Sequence, residues 1–191
     1  MAFLTSLQIH EMGLHSCGKH VLISEKASIY GASRISLGNH VRIDDFCVLS
    51  AGEGGIQLGN HVHVACYSSL IGKESINIQD FSGISSRVSI YSSSDDYSGG
   101  AMTNPTVPEE YTNIDHRPVF IGRHCIIGAG SVILPGTTMQ EGAAIGALSL
   151  ISKDCNAFTV YSGVPARRVG DRKRGLLNAE RCYVEKNKDQ N

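Results

Sequence analysis

The sequence predicts an all-β fold: a single coil of short parallel strands wound into a triangular prism, with a protruding loop and a short helix at each end. Three observations predict it. From Ile121 an aliphatic residue recurs at every sixth position, through Ile127, Ile133, Met139 and Ile145 to Ile151; this period fits neither a helix, near 3.6, nor an ordinary strand, at 2. The same step of six runs through Leu37, Ile43, Leu49, through Leu58, Val64, Leu70, and through Ile78, Ile84, Ile90. Finally, Leu37-Gly38-Asn39-His40-Val41-Arg42-Ile43 returns 21 positions later as Leu58-Gly59-Asn60-His61-Val62-His63-Val64, and more loosely as Ile121-Gly122-Arg123-His124-Cys125-Ile126-Ile127.

Residues 1–20 read as an N-terminal helical cap. Thr5 and Gln8 form a weak capping box, and Leu7, Ile9, Met12 and Leu14 give a short helix one apolar side with which to cover the first coil. The coil itself spans residues 21–170. Two positions before each aliphatic residue stands a compact one, Val119, Cys125, Ser131, Thr137, Ala143 and Ser149, which suits the inside of a tight corner. Between the earlier triplets the register jumps by nine and by eight, so a coil carries two or three extra residues as a bulge, one of them marked by Gly52, Gly54 and Gly55.

From Tyr91 to Pro118 the pattern stops for 28 residues, a length that points to a functional arm. This arm, 91–118, is acidic, with Asp95, Asp96, Glu109, Glu110 and Asp115 against Arg117. Its Tyr91, Tyr97, Met102 and Tyr111 favour an ordered segment that packs on something. Residues 171–191 form a C-terminal tail: after the basic Arg167, Arg168, Arg172, Lys173 and Arg174, the residues Leu176, Leu177, Ala179 and Val184 make a poor helix, and the last eight are polar and expected to fray.

Composition fits one domain of 191 residues, with 21 Gly for tight corners and no Trp. The near balance of 17 basic and 18 acidic side chains offers no polycationic field for nucleic acid or anionic lipid. With no apolar run of 18 residues and no secretory pattern in the first twenty, no membrane partner and a cytoplasmic location are expected. The six cysteines, Cys17, Cys47, Cys66, Cys125, Cys155 and Cys182, contain no Cys-x-x-Cys pair, and those in the coil read as reduced core residues.

The sixfold repeat, the arm leaving the coil midway, and the ending Tyr161-Ser162-Gly163-Val164-Pro165-Ala166-Arg167-Arg168 resemble the hexapeptide-repeat acyltransferases with a left-handed parallel β-helix, over about residues 20 to 170. The string Ser89-Ile90-Tyr91-Ser92-Ser93-Ser94-Asp95-Asp96-Tyr97-Ser98-Gly99 resembles bacterial nucleotide-sugar acyltransferases, in particular those acting on dTDP-4-amino-4,6-dideoxyglucose for O-antigen lipopolysaccharide. The left hand comes from this resemblance alone, since parallel crossovers are generally right-handed. The resemblance further implies a homotrimer with active sites between subunits, an acyl-CoA co-substrate such as acetyl-CoA, and a nucleotide-sugar acceptor.

Acyl transfer needs a thioester, a nucleophile, a proton acceptor and donors for the oxyanion. The galactoside and maltose acetyltransferase branch carries a histidine base at the root of the arm; aligning Val88-Ser89-Ile90 onto that branch puts Asp95 there. A carboxylate with a pKa near 3.9 is a feeble base toward a hydroxyl but can hold and help deprotonate an ammonium, which favours an amine acceptor. The plain alternative is that Asp95 and Asp96 only make an Asx-type turn before Gly99.

His63 precedes Val64-Ala65 in a string resembling a segment of related amino-sugar N-acetyltransferases whose histidine lies in the cleft near acyl-CoA. His116 closes the arm and is a third catalytic candidate. His40, His61 and His124 fill one slot of the repeat and read as solvent-facing corner residues. Ser85, Ser92, Ser94, Asp96 and Tyr97 are candidates for holding the sugar, alongside Ser86. For CoA, the resemblance points to Gly128, Ala129, Gly130, Gly146, Ala147, Ser152, Lys153, Arg167 and Arg168; small residues let pantetheine approach the backbone and cations suit phosphate. The glycines and charges equally suit corners and solvated surface.

Three other readings remain open. A saccharide O-acetyltransferase would share the fold. Carbonic anhydrases of this helix bind Zn through three histidines, two of them five positions apart; here only His10/His15 and His15/His20 have that spacing, before the regular coils, so no metal is expected. A passive coil stack acting as an interaction module would need neither an acidic arm nor the CoA-type ending.

Overall fold

The computed structural model describes residues 2–188. Parallel strands stack into three sheets of six, eight and six strands, which form the three faces of a prism. The first face runs through Ile35–Leu37, Ile56–Leu58, Ile76–Ile78 and Val119–Ile121, the second through Arg42–Ile43, His63–Val64, Gly83–Ile84, Ile126–Ile127 and Ala144–Ile145, and the third through Val48–Ala51, Ser69–Gly72, Ser89–Tyr91 and Val132–Ile133. The chain visits the faces in that order on every turn. Its hand is left, as in the solved relatives described below.

The sixfold ladder is the core. Ile43, Val64, Ile84, Ile127 and Ile145 lie side by side on the second face, at most 4% exposed. Burying each such side chain contributes about 1.5–3 kcal/mol. Each face supplies two inward residues, the aliphatic one and the compact one expected inside the corner: Val41 and Ile43 are both buried around the outward Arg42, and the compact residue of each pair fills the narrow space beside the turn.

Tight corners require a left-handed residue. His40, Phe46, His61, Tyr67, Phe81, Arg87, His124 and Leu148 all have φ between 56° and 62°, a conformation that costs a non-glycine residue on the order of 1 kcal/mol. Stacking offsets this. Along the first corner, between the first and second faces, the rings of His20, His40, His61, Phe81 and His124 stack with centroids 4.7, 4.7, 4.8 and 5.2 Å apart, close to the spacing of paired strands. His124 thus departs from the solvent-facing expectation: it is 9% exposed, because the C-terminal helix covers it.

Helix α1, Ser6–Glu11, begins with the expected capping box: the Gln8 amide donates to Thr5 Oγ1 and the Thr5 amide donates to Gln8 Oε1 at 2.8 Å. Ile9 is buried, but Leu7 is 64% exposed; Leu4 and Leu14 complete the packing in its place. At the other end, Thr159–Gly163 and Ala166–Asp171 form an antiparallel hairpin around a cis Val164–Pro165 bond. Helix α2, Gly175–Lys188, then folds back over the first corner. Its Glu180 pairs with Arg123 and with His124 Nε2, and Tyr183 sets its ring edge against His61 and Phe81. The helix continues to Lys188 where fraying was expected; residues 189–191 of that expectation lie outside the described residues.

Among the described residues all six cysteines are free. Burial pushes the thiols of Cys47 and Cys155 up to about 11 and that of Cys125 up to about 12, as expected of core residues.

Candidate active site

The second corner, between the second and third faces, gathers most of the predicted site. Strand register aligns Ile84 with Ile127 and Ile127 with Ile145, so Ser85, Gly128 and Gly146 form one column on successive coils. The amide of Ser85 donates to Ile127 O, that of Gly128 to Ile145 O and that of Gly146 to Tyr161 O. A Cβ on Gly128 would stand 2.4 Å from the backbone nitrogen of Ala147, so coil stacking alone demands glycine there. Ala129 and Ala147 are exposed beside this column. Among the described residues the Ser85 hydroxyl and the amides of Ser86, Ala129 and Ala147 have no hydrogen-bond partner. The corner therefore presents a row of free N–H donors along a surface of small residues.

His63 stands on the second face, two residues before this corner. Its Nε2 lies 2.8 Å from Asp44 Oδ2, and Asp44 Oδ1 accepts from Arg42 Nε at 2.7 Å. Burial by itself would raise the Asp44 carboxyl, but hydrogen bonds and charge from Arg42 and His63 outweigh it and hold the group below its ordinary value. On the next coil the position beside His63 is Gly83. A Cβ there would meet nothing within 4 Å, and the residue is not among the left-handed ones. Neither packing nor backbone requires glycine at 83, so the half-exposed imidazole overlooks an open notch beside Ser85.

The arm leaves the third corner, beyond Ser89–Tyr91. Ser92 is fully buried and donates to Glu74 O at 2.6 Å, which removes it from the candidates for sugar binding. Ser93–Ser94 pairs antiparallel with Asp115–His116 to form the arm's stem. Ser93 Oγ accepts from the Lys73 amide at 2.8 Å and lies 2.7 Å from His116 Nδ1. The Ser93 hydroxyl, which can accept twice and donate once, thus ties the His116 ring to the backbone of the preceding coil. Structure assigns His116 to the stem.

The two neighbouring aspartates differ. Asp96 makes the Asx-type turn, accepting from the amides of Ser98 at 2.8 Å and Ala101 at 3.0 Å, and its pKa is lowered by the bonds from Ser98. Asp95 is exposed, and among the described residues its carboxylate meets only the Asn104 amide, at 3.4 Å. The Ser94 hydroxyl is turned to Asp95 O. Tyr97 is 93% exposed, and Met102 and Tyr111 are more than half exposed; within one chain these side chains do not pack as expected.

Of the cationic candidates, Lys153 and Arg167 meet with Ser152, Tyr161 and Ala166 around a small crevice at the C-terminal end of the coil. Arg168 is paired with Asp171 at 2.8 Å. A groove of about 630 Å³ lies elsewhere, between the ring column of the first corner and α2; none of the predicted site residues lines it. Among the described residues no cluster of three potential metal ligands occurs.

The sequence did not point to Asp44 or Ser93, nor single out Arg87. The first two are the partners that orient His63 and His116, and each lies about twenty positions from its histidine, one coil or the arm away. Arg87 occupies a left-handed corner position beside Ser85 and carries no motif of its own.

No family model matches the chain. An Escherichia coli protein, dTDP-4-amino-4,6-dideoxy-D-glucose acyltransferase, is 56% identical over 183 residues, covering 96% of this chain and 95% of its own. The N-acyltransferase AntD from Bacillus cereus, solved with dTDP and 3-hydroxybutyryl-CoA, superimposes with a TM-score of 0.91 at 41% identity, covering 96% of this chain and 97% of that one. A mutant of AntD solved with dTDP-4-amino-4,6-dideoxyglucose and coenzyme A gives a TM-score of 0.93. A maltose O-acetyltransferase from Clostridium difficile, at 20% identity and a TM-score of 0.59, shares the fold alone. The chain is an acyltransferase of the left-handed parallel β-helix type and belongs to the family of the dTDP-4-amino-4,6-dideoxy-D-glucose acyltransferases.

Proposed function

We propose that this chain transfers an acyl group, acetyl or short hydroxyacyl, from acyl-CoA to the 4-amino group of dTDP-4-amino-4,6-dideoxy-D-glucose, supplying an N-acylated sugar for bacterial surface polysaccharide. The 56% identity over nearly the full length of the E. coli enzyme carries this reading. The site agrees with it: Asp95 offers an exposed carboxylate with no cationic partner, suited to an ammonium, and the second corner offers free amides to a developing oxyanion.

The pantetheine arm lies along Gly128, Ala129, Gly130, Gly146 and Ala147, with the CoA phosphates toward Ser152, Lys153 and Arg167. The thioester carbonyl sits at the free amides near Ser85. Asp95 holds the sugar ammonium and accepts one proton from it; the resulting amine attacks the thioester carbon, and as the tetrahedral intermediate collapses the C–S bond breaks and the second proton on nitrogen passes, through solvent, to the departing thiolate. His63, oriented by Asp44, borders the acceptor's place.

Asp95 and Ser85 lie at opposite edges of one prism face, since the strand Ser89–Tyr91 separates them. That separation within one copy supports a homotrimer in which the arm of one subunit reaches the second corner of the next. Free cysteines and a CoA substrate favour the cytoplasm.

Incubating the protein with acetyl-CoA and dTDP-4-amino-4,6-dideoxyglucose, or with its 4-hydroxy counterpart, tests the reading by mass spectrometry. A mass gain on the amine alone is expected. Acylation of the hydroxyl sugar alone would replace this reading with an O-acetyltransferase.

A further inference from the structure

The second corner carries a ladder that none of the roles above uses. The rings of Phe46 and Tyr67 stack at 4.9 Å on successive coils; Lys26 Nζ lies 5.3 Å from the outer face of Phe46, and Arg87 Cζ lies 5.4 Å from the Tyr67 centroid. Phe46 is 44% and Tyr67 53% exposed. Lys26 has a carboxylate partner in Asp45 at 3.7 Å. Arg87 has none: among the described residues its guanidinium makes no hydrogen bond and no ion pair. The next residue along the column is Gly130, over which the Leu148 side chain lies, with Leu148 Cδ2 2.7 Å from where a Cβ would stand, so no ring continues the ladder beyond the guanidinium. All three ladder residues hold left-handed backbone, with φ of 59° to 62°, where glycine would sit without strain.

We propose that Arg87, held in place by the Tyr67 ring, anchors the pyrophosphate of the acceptor. This rests on the reading that the acceptor is a nucleoside-diphosphate sugar. A planar guanidinium stacked on an aromatic face keeps its N–H edge free for phosphate oxygens and loses little freedom on binding. Both substrates contain a pyrophosphate, and position on the corner separates them. In CoA the whole pantetheine arm lies between pyrophosphate and sulfur. In a nucleotide sugar the pyrophosphate is bonded to the anomeric carbon of the ring being acylated. Arg87 lies two residues from Ser85, next to the place of the thioester, so it matches the acceptor's pyrophosphate.

Calorimetric titration of dTDP, dTMP and CoA into the wild-type protein and into the Arg87→Ala, Arg87→Lys and Tyr67→Leu variants tests this. Arg87→Ala should weaken dTDP about 10- to 100-fold, the loss of a charge-assisted bond to phosphate. The preference for dTDP over dTMP should shrink with it, while the CoA Kd stays within about twofold and Tm within about 2 °C. Arg87→Lys, which keeps the charge without the fork, and Tyr67→Leu, which removes the platform, should lose less. In turnover, KM for the sugar nucleotide should rise with little change in kcat. A dTDP Kd unchanged in Arg87→Ala overturns the proposal, as does a variant that loses CoA and keeps dTDP. A wild-type protein that binds CoA but no dTDP overturns the proposed function itself, and this assignment with it.

Discussion

Replacing Asp95 by asparagine, with Asp96→Asn as its neighbour control, separates charge from arm geometry. Among the described residues the Asp95 carboxylate touches only the Asn104 amide, at 3.4 Å, beyond an ordinary N–H···O bond. Its loss should therefore change stability by no more than about 0.5 kcal/mol, or roughly 1–2 °C in Tm for a chain of this size. On the proposed mechanism the chemistry loses the charge that holds the ammonium and takes its proton, so kcat/KM should fall by about 10² to 10⁴, or about 3–5 kcal/mol of transition-state stabilisation. Asp96→Asn keeps an acceptor for the Ser98 amide and should cost less than about tenfold, mostly in KM, as the turn loosens. Initial rates of CoA thiol release at saturating acyl-CoA, with the dTDP-amino sugar varied, give both numbers, and thermal melts give the stability. An Asp95→Asn enzyme within threefold of wild type, or equal losses in the two variants, would refute the role of the Asp95 charge.

Gly83→Ala and Gly128→Ala should diverge. The first meets open space and should keep or raise Tm while cutting turnover at least about threefold, the general effect of misplacing a substrate; the second drives a Cβ to 2.4 Å from Ala147 N and should cost about 1–3 kcal/mol in a denaturation curve. Glu180→Ala removes the carboxylate shared by Arg123 and His124 and should cost about 1–3 kcal/mol, read by hydrogen exchange as faster exchange in α2 with the coil amides unchanged. Asp44 has a folded pKa below its ordinary value, so its stabilisation is present above about pH 4 and is lost as pH falls through the folded value. The Tm gap between wild type and Asp44→Asn should accordingly be widest near neutrality and close toward pH 3, and a gap that is constant with pH would exclude this linkage.

The fold was legible because its information is local and repeated. An inward aliphatic at every sixth position specifies a face, and three faces specify a coil, so Ile121 to Ile151 already described the prism that the strands form. The arm was legible as an interruption of that period, and the capping box at Thr5 as a motif complete within four residues. The stacked corner was not. His40, His61 and His124 looked alike as sequence because they occupy the same slot, yet His124 is buried and the others are not, since only the fold-back of α2 decides which rings are covered.

The site was legible in part, for a reason that lies in coil length. Asp44 reaches His63 because the coil between the second-face strands Arg42–Ile43 and His63–Val64 is 21 residues long, which sets Arg42 beside His63 and Asp44 one step further on. The next coil is 20 residues and brings Gly83 beside His63. A one-residue change in either bulge would turn the following face by one position and exchange inward for outward side chains. Gly52, Gly54 and Gly55 belong to the bulge that sets the first of these lengths, far from the His63 side chain. Orientation of His63 is thus decided at the opposite corner of the prism, by residues that touch no reacting group. The pairing of Asp44 with His63 becomes visible only once the bulge has been counted, and that of Ser93 with His116 only once the arm closes into its antiparallel stem, which is why the sequence located the candidate histidines without their partners.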